Sequence, residues 1–416
     1  MNDARVLDPD DWDVEDDTEI VLDISRLISR VLHPTPTGVD RVEMAYAQEL
    51  QRRAPDRLRY GALHPAGVYG RVPDAVARRF MDAAEVCWRD GGQTRHGPAR
   101  NALHLARTLA SLWPRRVPRR SAGRRVYLQS SPHHLDRESV VRTILRREDA
   151  GFVCLLHDLI PIEYPEYARP GGDRIHVRRV MTVARLADAV IANSEATRRS
   201  FLPYLERAGR DIPVEVAHLG VNLPSRVTGN PHGGHPYFVC LGTIEPRKNH
   251  LLLLHIWRNL AEKLGPATPR LIIIGRRGWE NEQVVDLLER CPALVGLVEE
   301  RAGLSDALTH ELLANARALL LPSFAEGYGI PVPEALSLGV PVLCSDLPAL
   351  REAGGSAPCY LDPLDGPSWQ TAILGLADGN GEARARHVAR ISGWRAPTWD
   401  DHITTVLAQI RRVATA

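Results

Sequence analysis

The stretch Ala318-Leu319-Leu320-Leu321-Pro322-Ser323-Phe324-Ala325-Glu326-Gly327-Tyr328-Gly329-Ile330-Pro331-Val332-Pro333-Glu334-Ala335-Leu336 decides the fold. Its first four residues are apolar without a break, as in a strand of a parallel sheet covered on both faces. A polar, glycine-containing loop follows, and Pro333–Leu338 then reads as a helix. Strand, loop and helix in that order are part of a βαβ unit.

The alternation continues on both sides. Tyr237–Leu241, Leu271–Ile274 and Val340–Cys344 read as strands, and Asn249–Lys263 and Ser305–Ala316 as helices. Upstream, Ile20–Ile24, Val126–Gln129, Phe152–Leu156, Ala189–Asn193 and Val214–Ala217 read as strands. A turn at Pro34–Gly38 leads into a helix through Leu50. The pattern predicts α/β architecture, with two doubly wound Rossmann-like domains facing a cleft. The expected division is an acidic disordered tail at 1–18, a first domain at 19–225, a linker at 226–236 and a second domain at 237–392. A terminal helix within 393–416 (Trp399–Arg412) is expected to return to the first domain. Residues 54–122, rich in Pro, Gly and Arg, read as an irregular basic insert.

With 416 residues the chain has room for two or three domains. Its 44% hydrophobic and 25% charged residues place it among soluble globular proteins. A net charge of +1 gives the whole chain no electrostatic attraction for nucleic acid. No apolar run approaches the roughly 18 residues of a membrane span. The acidic start, Asp8 to Asp17, is the opposite of a signal peptide. Cys87, Cys154, Cys240, Cys291, Cys344 and Cys359 lie far apart with no CxxC, so no zinc site or disulfide framework is expected. Together these features predict a cytoplasmic protein. Lysine occurs only at Lys248 and Lys263, which makes a lysine inside a motif notable.

In open α/β sheets, ligands sit beyond the carboxyl ends of strands, so the residues after each strand are the candidates. In the 322–336 segment, Gly327 and Gly329 allow close backbone approach, and a helix start presents N–H groups to an anion. Glu326 is expected at the loop tip and Glu334 in the helix's first turn. A carboxylate accepting two hydrogen bonds matches a vicinal diol of a ribose or hexose. The plainer alternatives are a solvated Glu326 and a routine first-turn Glu334.

Gly242-Thr243-Ile244-Glu245-Pro246-Arg247-Lys248-Asn249 follows another strand. Arg247 offers a fork and Lys248 a point charge, which suits a diphosphate. The alternative is a solvated basic pair. His157, in Leu155-Leu156-His157-Asp158, ends a buried strand and could bond a sugar hydroxyl, oriented by Asp158. A structural His–Asp pair is the other reading. Gly38, at the first helix start, can approach a phosphate. No GxGxxG follows the first strand and no GxxxxGK[ST] occurs, which argues against nicotinamide or flavin oxidoreductases and P-loop NTPases. Residues 91–125 carry nine arginines and no acid. Arg100, His104, Arg107 and Ser111 share a helical face largely opposite Leu105, Leu109, Leu112 and Trp113. This segment reads either as a helix lying on an anionic membrane or as a packed helix with a solvated loop.

Glu326 and Glu334, Arg247–Lys248 after Gly242, and His157 after a buried strand together resemble the retaining GT-B glycosyltransferases of family 4, the glycosyl transferases group 1. The resemblance covers about 150–355, is weaker over 19–50 and is absent over 54–122. It implies that Glu326, the first glutamate of the EX7E motif, contacts the donor sugar's hydroxyls. Glu334, the second, would hold the ribose. Arg247 and Lys248 would neutralise the diphosphate, aided by the loop amides of Gly327, Tyr328, Gly329 and Ile330. His157 would touch the transferred sugar, and Gly38 would lie beside the diphosphate, where the family often shows two glycines. The wording HDLIPIEYPEY is similar to bacterial mannosyl- and rhamnosyltransferases of polysaccharide assembly.

The resemblance therefore implies a metal-independent retaining hexosyltransferase without a cofactor. Its donor would be a nucleotide-diphosphate sugar, GDP-mannose favoured. Its acceptor would be a saccharide or lipid-linked saccharide in surface polysaccharide synthesis. If 91–125 faces a membrane, peripheral contact at its inner face is implied. A non-catalytic nucleotide-sugar-binding scaffold subunit and a GT-B sugar-nucleotide epimerase are the competing readings.

Overall fold

The structure, a computed structural model, describes residues 17–30, 35–89, 107–119, 123–222, 235–378 and 381–416. Two sheets form its frame. The first contains β1 (Glu19–Asp23), β2 (Leu58–Leu63), β3 (Tyr69–Val72), β4 (Arg125–Gln129), β5 (Gly151–Leu156), β6 (Ala189–Ala192) and β7 (Val214–Val216), in the order β3-β2-β1-β4-β5-β6-β7. All neighbours are parallel except β2 and β3. The second contains β8 (Tyr237–Leu241), β9 (Arg270–Ile274), β10 (Val298–Arg301), β11 (Leu319–Leu321), β12 (Val342–Ser345) and β13 (Cys359–Leu361), in the order β10-β9-β8-β11-β12-β13. All its pairings are parallel. The strand order reverses between β1 and β4 and between β8 and β11, and crevices open beyond the strand ends at such points.

The interior of both sheets is apolar along whole strands. Phe152 to Leu156 of β5 and Leu271 to Ile274 of β9 are buried. The Gly38–Arg53 helix starts on a capping box, in which Thr37 accepts from the Asp40 amide and Asp40 accepts from the Thr37 amide. The Trp399–Thr415 helix buries Ile403, Val406, Leu407 and Ile410 and packs on β5, β4 and the Gly38–Arg53 helix. Its His402 Nε2 lies 2.7 Å from Tyr46 Oη.

Residues 54–122 are more regular than the sequence reading expects. They include β2, the antiparallel edge strand β3 and the Asp74–Arg89 helix. The strands escaped because they are short and carry arginines. Arg71 of β3 is buried because it pairs with Glu148 at 2.7 Å and with Glu19 at 2.6 Å. Arg125 also leaves the expected surface set: it is buried against Glu19 at 2.6 Å.

Within 91–125, the described residues include helical turns from Arg107, with Leu112 buried and the Trp113 ring 5.0 Å from His64. Arg95, Arg100, His104, Leu105 and Arg120 lie outside the described residues, as do most of the expected tail and linker. Among the described residues no helix is long and apolar enough to cross a membrane.

Candidate active site

The cleft between the sheets encloses about 380 Å³. Its first-sheet wall comes from the turn at Thr35–Val39, from Arg41 and from His157 and Asp158 after β5. The opposite wall comes from the loops after β8, β9 and β11 and from the Asp306–Ala314 helix. The residues singled out for the donor site all line it: Gly38, His157, Gly242, Arg247, Lys248, Glu326, Gly327, Tyr328, Gly329, Ile330 and Glu334.

The two loops at the β8/β11 reversal are tied together. Phe324 N donates to Arg247 O at 2.8 Å, and Arg247 Nη1 donates to Ala325 O at 2.8 Å. Lys248 Nζ donates to Glu326 Oε1 at 2.5 Å, Ser323 Oγ to the same oxygen at 2.6 Å, and Arg247 Nη1 to Glu326 Oε2 at 2.9 Å. Burial alone would raise the Glu326 pKa, but Lys248 and Arg247 outweigh it and hold the carboxyl at about 2. Glu326 lies in the loop between β11 and the Pro331–Ser337 helix, and the alternative of a solvated glutamate is overturned. Its side chain is 6% exposed, drawn in by two cations.

Glu245, not singled out by the sequence reading, bonds Arg247 Nε at 2.7 Å, and burial raises its pKa against the pull of Arg247 and Lys248. Its place in the Glu245-Pro246-Arg247-Lys248 run is the only sequence signal for it.

Glu334 occupies the first turn of the Pro331–Ser337 helix. Burial pushes its carboxyl up to about 7, opposed by Arg41 and reinforced by Asp306. Arg41 itself ion-pairs with Asp306 across the cleft. Neither had a sequence signal beyond its element. The helix start offers fewer donors than expected: Pro331 and Pro333 have no N–H, and Val332 N donates to Gly329 O at 2.9 Å.

His157 Nε2 lies 2.8 Å from the Ser130 carbonyl, so Nε2 carries the proton. Burial lowers the ring's pKa, although that contact and Asp158 oppose it. The neutral ring then has Nδ1 as its acceptor. Asp158 does not orient the ring as expected, because its Oδ1 accepts from Ile160 N at 3.1 Å.

Gly327 and Gly329 are small for the protein's own sake. A Cβ on Gly327 would lie 2.4 Å from His157 O, and one on Gly329, at φ +88°, 2.3 Å from Leu350 Cδ2. Ser194 Oγ also donates to Gly327 O at 2.7 Å, which joins the two sheets' loops. The Tyr328 ring stacks on His218 with centroids 5.4 Å apart. Gly242 adopts φ +150° beside the Lys248 stem.

Residues 235–378 match the family described as glycosyl transferases group 1. This part of the chain is a glycosyl transferases group 1 domain. Beyond that domain, the chain is 26% identical over 308 residues to the serotype-specific mannosyltransferase WbdA of Escherichia coli. That match covers 68% of this chain and 36% of WbdA, so the chain spans little more than a third of that relative. The O-antigen chain mannosyltransferase B of Escherichia coli is 40% identical over 138 residues, 33% of this chain and 36% of that protein.

Among solved structures, Anabaena Alr3699/HepE, crystallised with UDP and glucose, superposes with a TM-score of 0.62. Identity is 15%, and the match covers 94% of this chain and 99% of that one. The UDP-forming α,α-trehalose-phosphate synthase of Burkholderia vietnamiensis gives 0.61 at 12% identity, over 96% and 98%. The group 1 domain thus forms the second half of a GT-B fold.

Proposed function

We propose that the chain is a retaining hexosyltransferase. It moves a sugar, mannose from GDP-mannose in the favoured reading, from a nucleotide diphosphate to a saccharide or lipid-linked saccharide in surface polysaccharide assembly. The observation that carries this is the Arg247–Lys248–Glu326 cluster at the β8/β11 reversal, facing His157 across the cleft. The names of the matched relatives favour mannose; HepE's UDP and glucose keep uridine sugars in the test.

In this mechanism Arg247 and Lys248 face the donor's diphosphate and stabilise the charge that develops as the bond from C1 to the phosphate oxygen breaks. In this reading they supply that charge without a metal. Glu326 keeps those cations in register and accepts hydrogen bonds from the sugar's hydroxyls. A carboxyl held at about 2 is a poor base, so Glu326 does not take the acceptor's proton. The departing phosphate oxygen takes it, while the acceptor oxygen attacks C1 from the face the phosphate leaves. His157 Nδ1 accepts from a sugar hydroxyl near that carbon. Glu334 accepts from the ribose diol.

A thermal-shift screen against GDP, UDP, ADP and dTDP and their sugars, with and without EDTA, tests the reading. A ligand at 100 times its Kd adds about 2.7 kcal/mol of stability. One nucleotide class should stabilise the wild type and much less the Lys248→Ala variant. The anomeric configuration of the product, read by NMR, should match that of the donor. Absence of a shift with every nucleotide would overturn the proposal.

A further inference from the structure

A single turn of the first domain, Asn193 to Thr197, touches both walls of the cleft. It follows β6 and opens the Glu195–Ala208 helix. On one side Asn193, which lines the cleft, donates from Nδ2 to His157 O at 2.8 Å. On the other, the Ser194 hydroxyl holds the carbonyl of Gly327 in the loop after β11, at 2.7 Å. Thr197 Oγ1 lies 3.4 Å from both of those carbonyls. His157 and Gly327 are thus tied to one short segment.

That segment is itself held from across the cleft. The first N–H groups of a helix have no partner within it. Ser194 Oγ accepts from Thr197 N at 3.0 Å, but the Glu195 and Ala196 amides donate to the Glu352 carboxylate, at 2.5 and 2.9 Å. Glu352 lies on the Pro348–Gly354 helix of the second domain, and a carboxylate at a helix N-terminus is favoured by the dipole. His218, beyond β7, adds a third contact, with Nε2 3.3 Å from Glu352 Oε2. Burial alone would raise the Glu352 pKa, but His218 and the two amides outweigh it and hold the carboxyl below its ordinary value. Glu352 is 157 and 156 positions from the two amides and 134 from His218, on the opposite sheet's half of the chain. These contacts therefore exist only while the two domains are apposed.

We propose that Glu352 is a positioning residue, which holds the Asn193–Thr197 turn against the second domain and so sets His157 beside the donor loop as the cleft closes. This rests on the reading of the cleft as a glycosyl-transfer site. Closure and assembly of the reacting groups are then one event. An open cleft still offers Arg247, Lys248 and Glu334 to a nucleotide, but it leaves His157 unset, so bond cleavage waits for the domains to meet.

The test uses the full chain with 15N-labelled histidine, read with and without GDP. In the wild type the His157 ring signals, assigned by their loss in His157→Ala, should show a single Nε2–H tautomer. Glu352→Ala should move them toward a tautomer average, and Glu352→Gln, which keeps one accepting oxygen, should move them less. Arg351→Ala is the control, because it breaks contacts to Asp346 and the Tyr360 ring inside the second domain, and it should leave the signals in place. Release of GDP from GDP-mannose, with methyl mannoside as acceptor, should fall by about 10²-fold in Glu352→Ala, as misplacement of a reacting group does. Nucleotide Kd should stay within about threefold of wild type. In the His157→Ala background the same substitution should add no further loss, because both changes act on one group.

Unchanged His157 signals in Glu352→Ala, or an equal further loss of turnover in the His157→Ala background, would overturn the inference and leave Glu352 a helix cap. Failure of both GDP and UDP to bind the wild type would instead strike the donor reading, while the histidine spectra still decide the role of Glu352.

Discussion

Lys248 Nζ lies 2.5 Å from Glu326 Oε1, and with Arg247 on the other oxygen the pair forms one charge unit beneath the cleft. The unit predicts a split between binding and turnover. Glu326→Gln frees both cations for phosphate but turns one of the two oxygens that accept from the sugar's hydroxyls into a donating amide and removes the charge from the other. Product formation should fall by about 10²–10³-fold, the size seen when one transition-state partner is lost. Nucleotide Kd should stay within about threefold of wild type or tighten, because the cations lose a competing carboxylate. Lys248→Ala should do the reverse, weakening nucleotide binding first. Titration calorimetry beside a rate assay separates the two. Equal loss of both in Glu326→Gln would show that the glutamate's task is to fold the loop.

Much of this was legible in the sequence. The unbroken apolar runs at 318–321 and 271–274 and the polar loops after them announce buried parallel strands with a site at their ends, and every residue marked there lines the cleft. What the sequence could not convey is pairing across distance. Glu326 meets Lys248 78 positions away, so its burial is invisible to any local pattern. Arg71 and Glu148 are 77 apart, and without that pair Arg71 reads as a surface residue in a structureless insert. The Asp158 reading erred for a local reason: the chain turns at once into the Ile160–Glu163 helix, and the Ile160 amide claims the carboxylate.

Glu334 predicts the pH dependence of donor binding. With its pKa raised to about 7 by burial, the free protein holds it partly protonated near neutrality. Only the ionised form offers both oxygens as acceptors to the ribose diol, so binding lowers its pKa and releases a proton. Affinity should therefore be flat above about pH 8 and fall toward tenfold per unit below about pH 7. Calorimetry in buffers of different ionisation enthalpy would count the proton released. Glu334→Gln should remove the slope; an unchanged slope would assign it to another group.

Two glycines separate packing from ligand approach. Gly327→Ala would place a Cβ 2.4 Å from His157 O, against backbone that cannot rotate away. It should destabilise by about 1–3 kcal/mol, as overpacking does, and hold the two sheets further apart. Thermal unfolding and small-angle scattering would register both. Gly38→Ala meets only Ile330 Cδ1, at 3.9 Å, and begins a helix, so its melting temperature should be unchanged or higher. If Gly38 admits the diphosphate, the same variant loses nucleotide affinity despite intact folding. Retained affinity would remove Gly38 from the site.

Glu43 tests the electrostatics of the first sheet's interior apart from any ligand. It is fully buried on the Gly38–Arg53 helix, accepts from Leu27 N at 3.3 Å, and burial, with the Asp23 charge, raises its pKa to about 8. An acid raised on folding is comfortable when protonated. Its contribution is fully present below about pH 4.5 and is lost as pH rises through about 8. Glu43→Gln keeps the acceptor oxygen and cannot ionise. The variant's stability relative to wild type should therefore climb between about pH 5 and pH 9, by up to about 4 kcal/mol. Urea unfolding at several pH values measures that difference directly. A difference that stays constant across the range would mean that Glu43 ionises at its ordinary value and that a cation reaches it in solution.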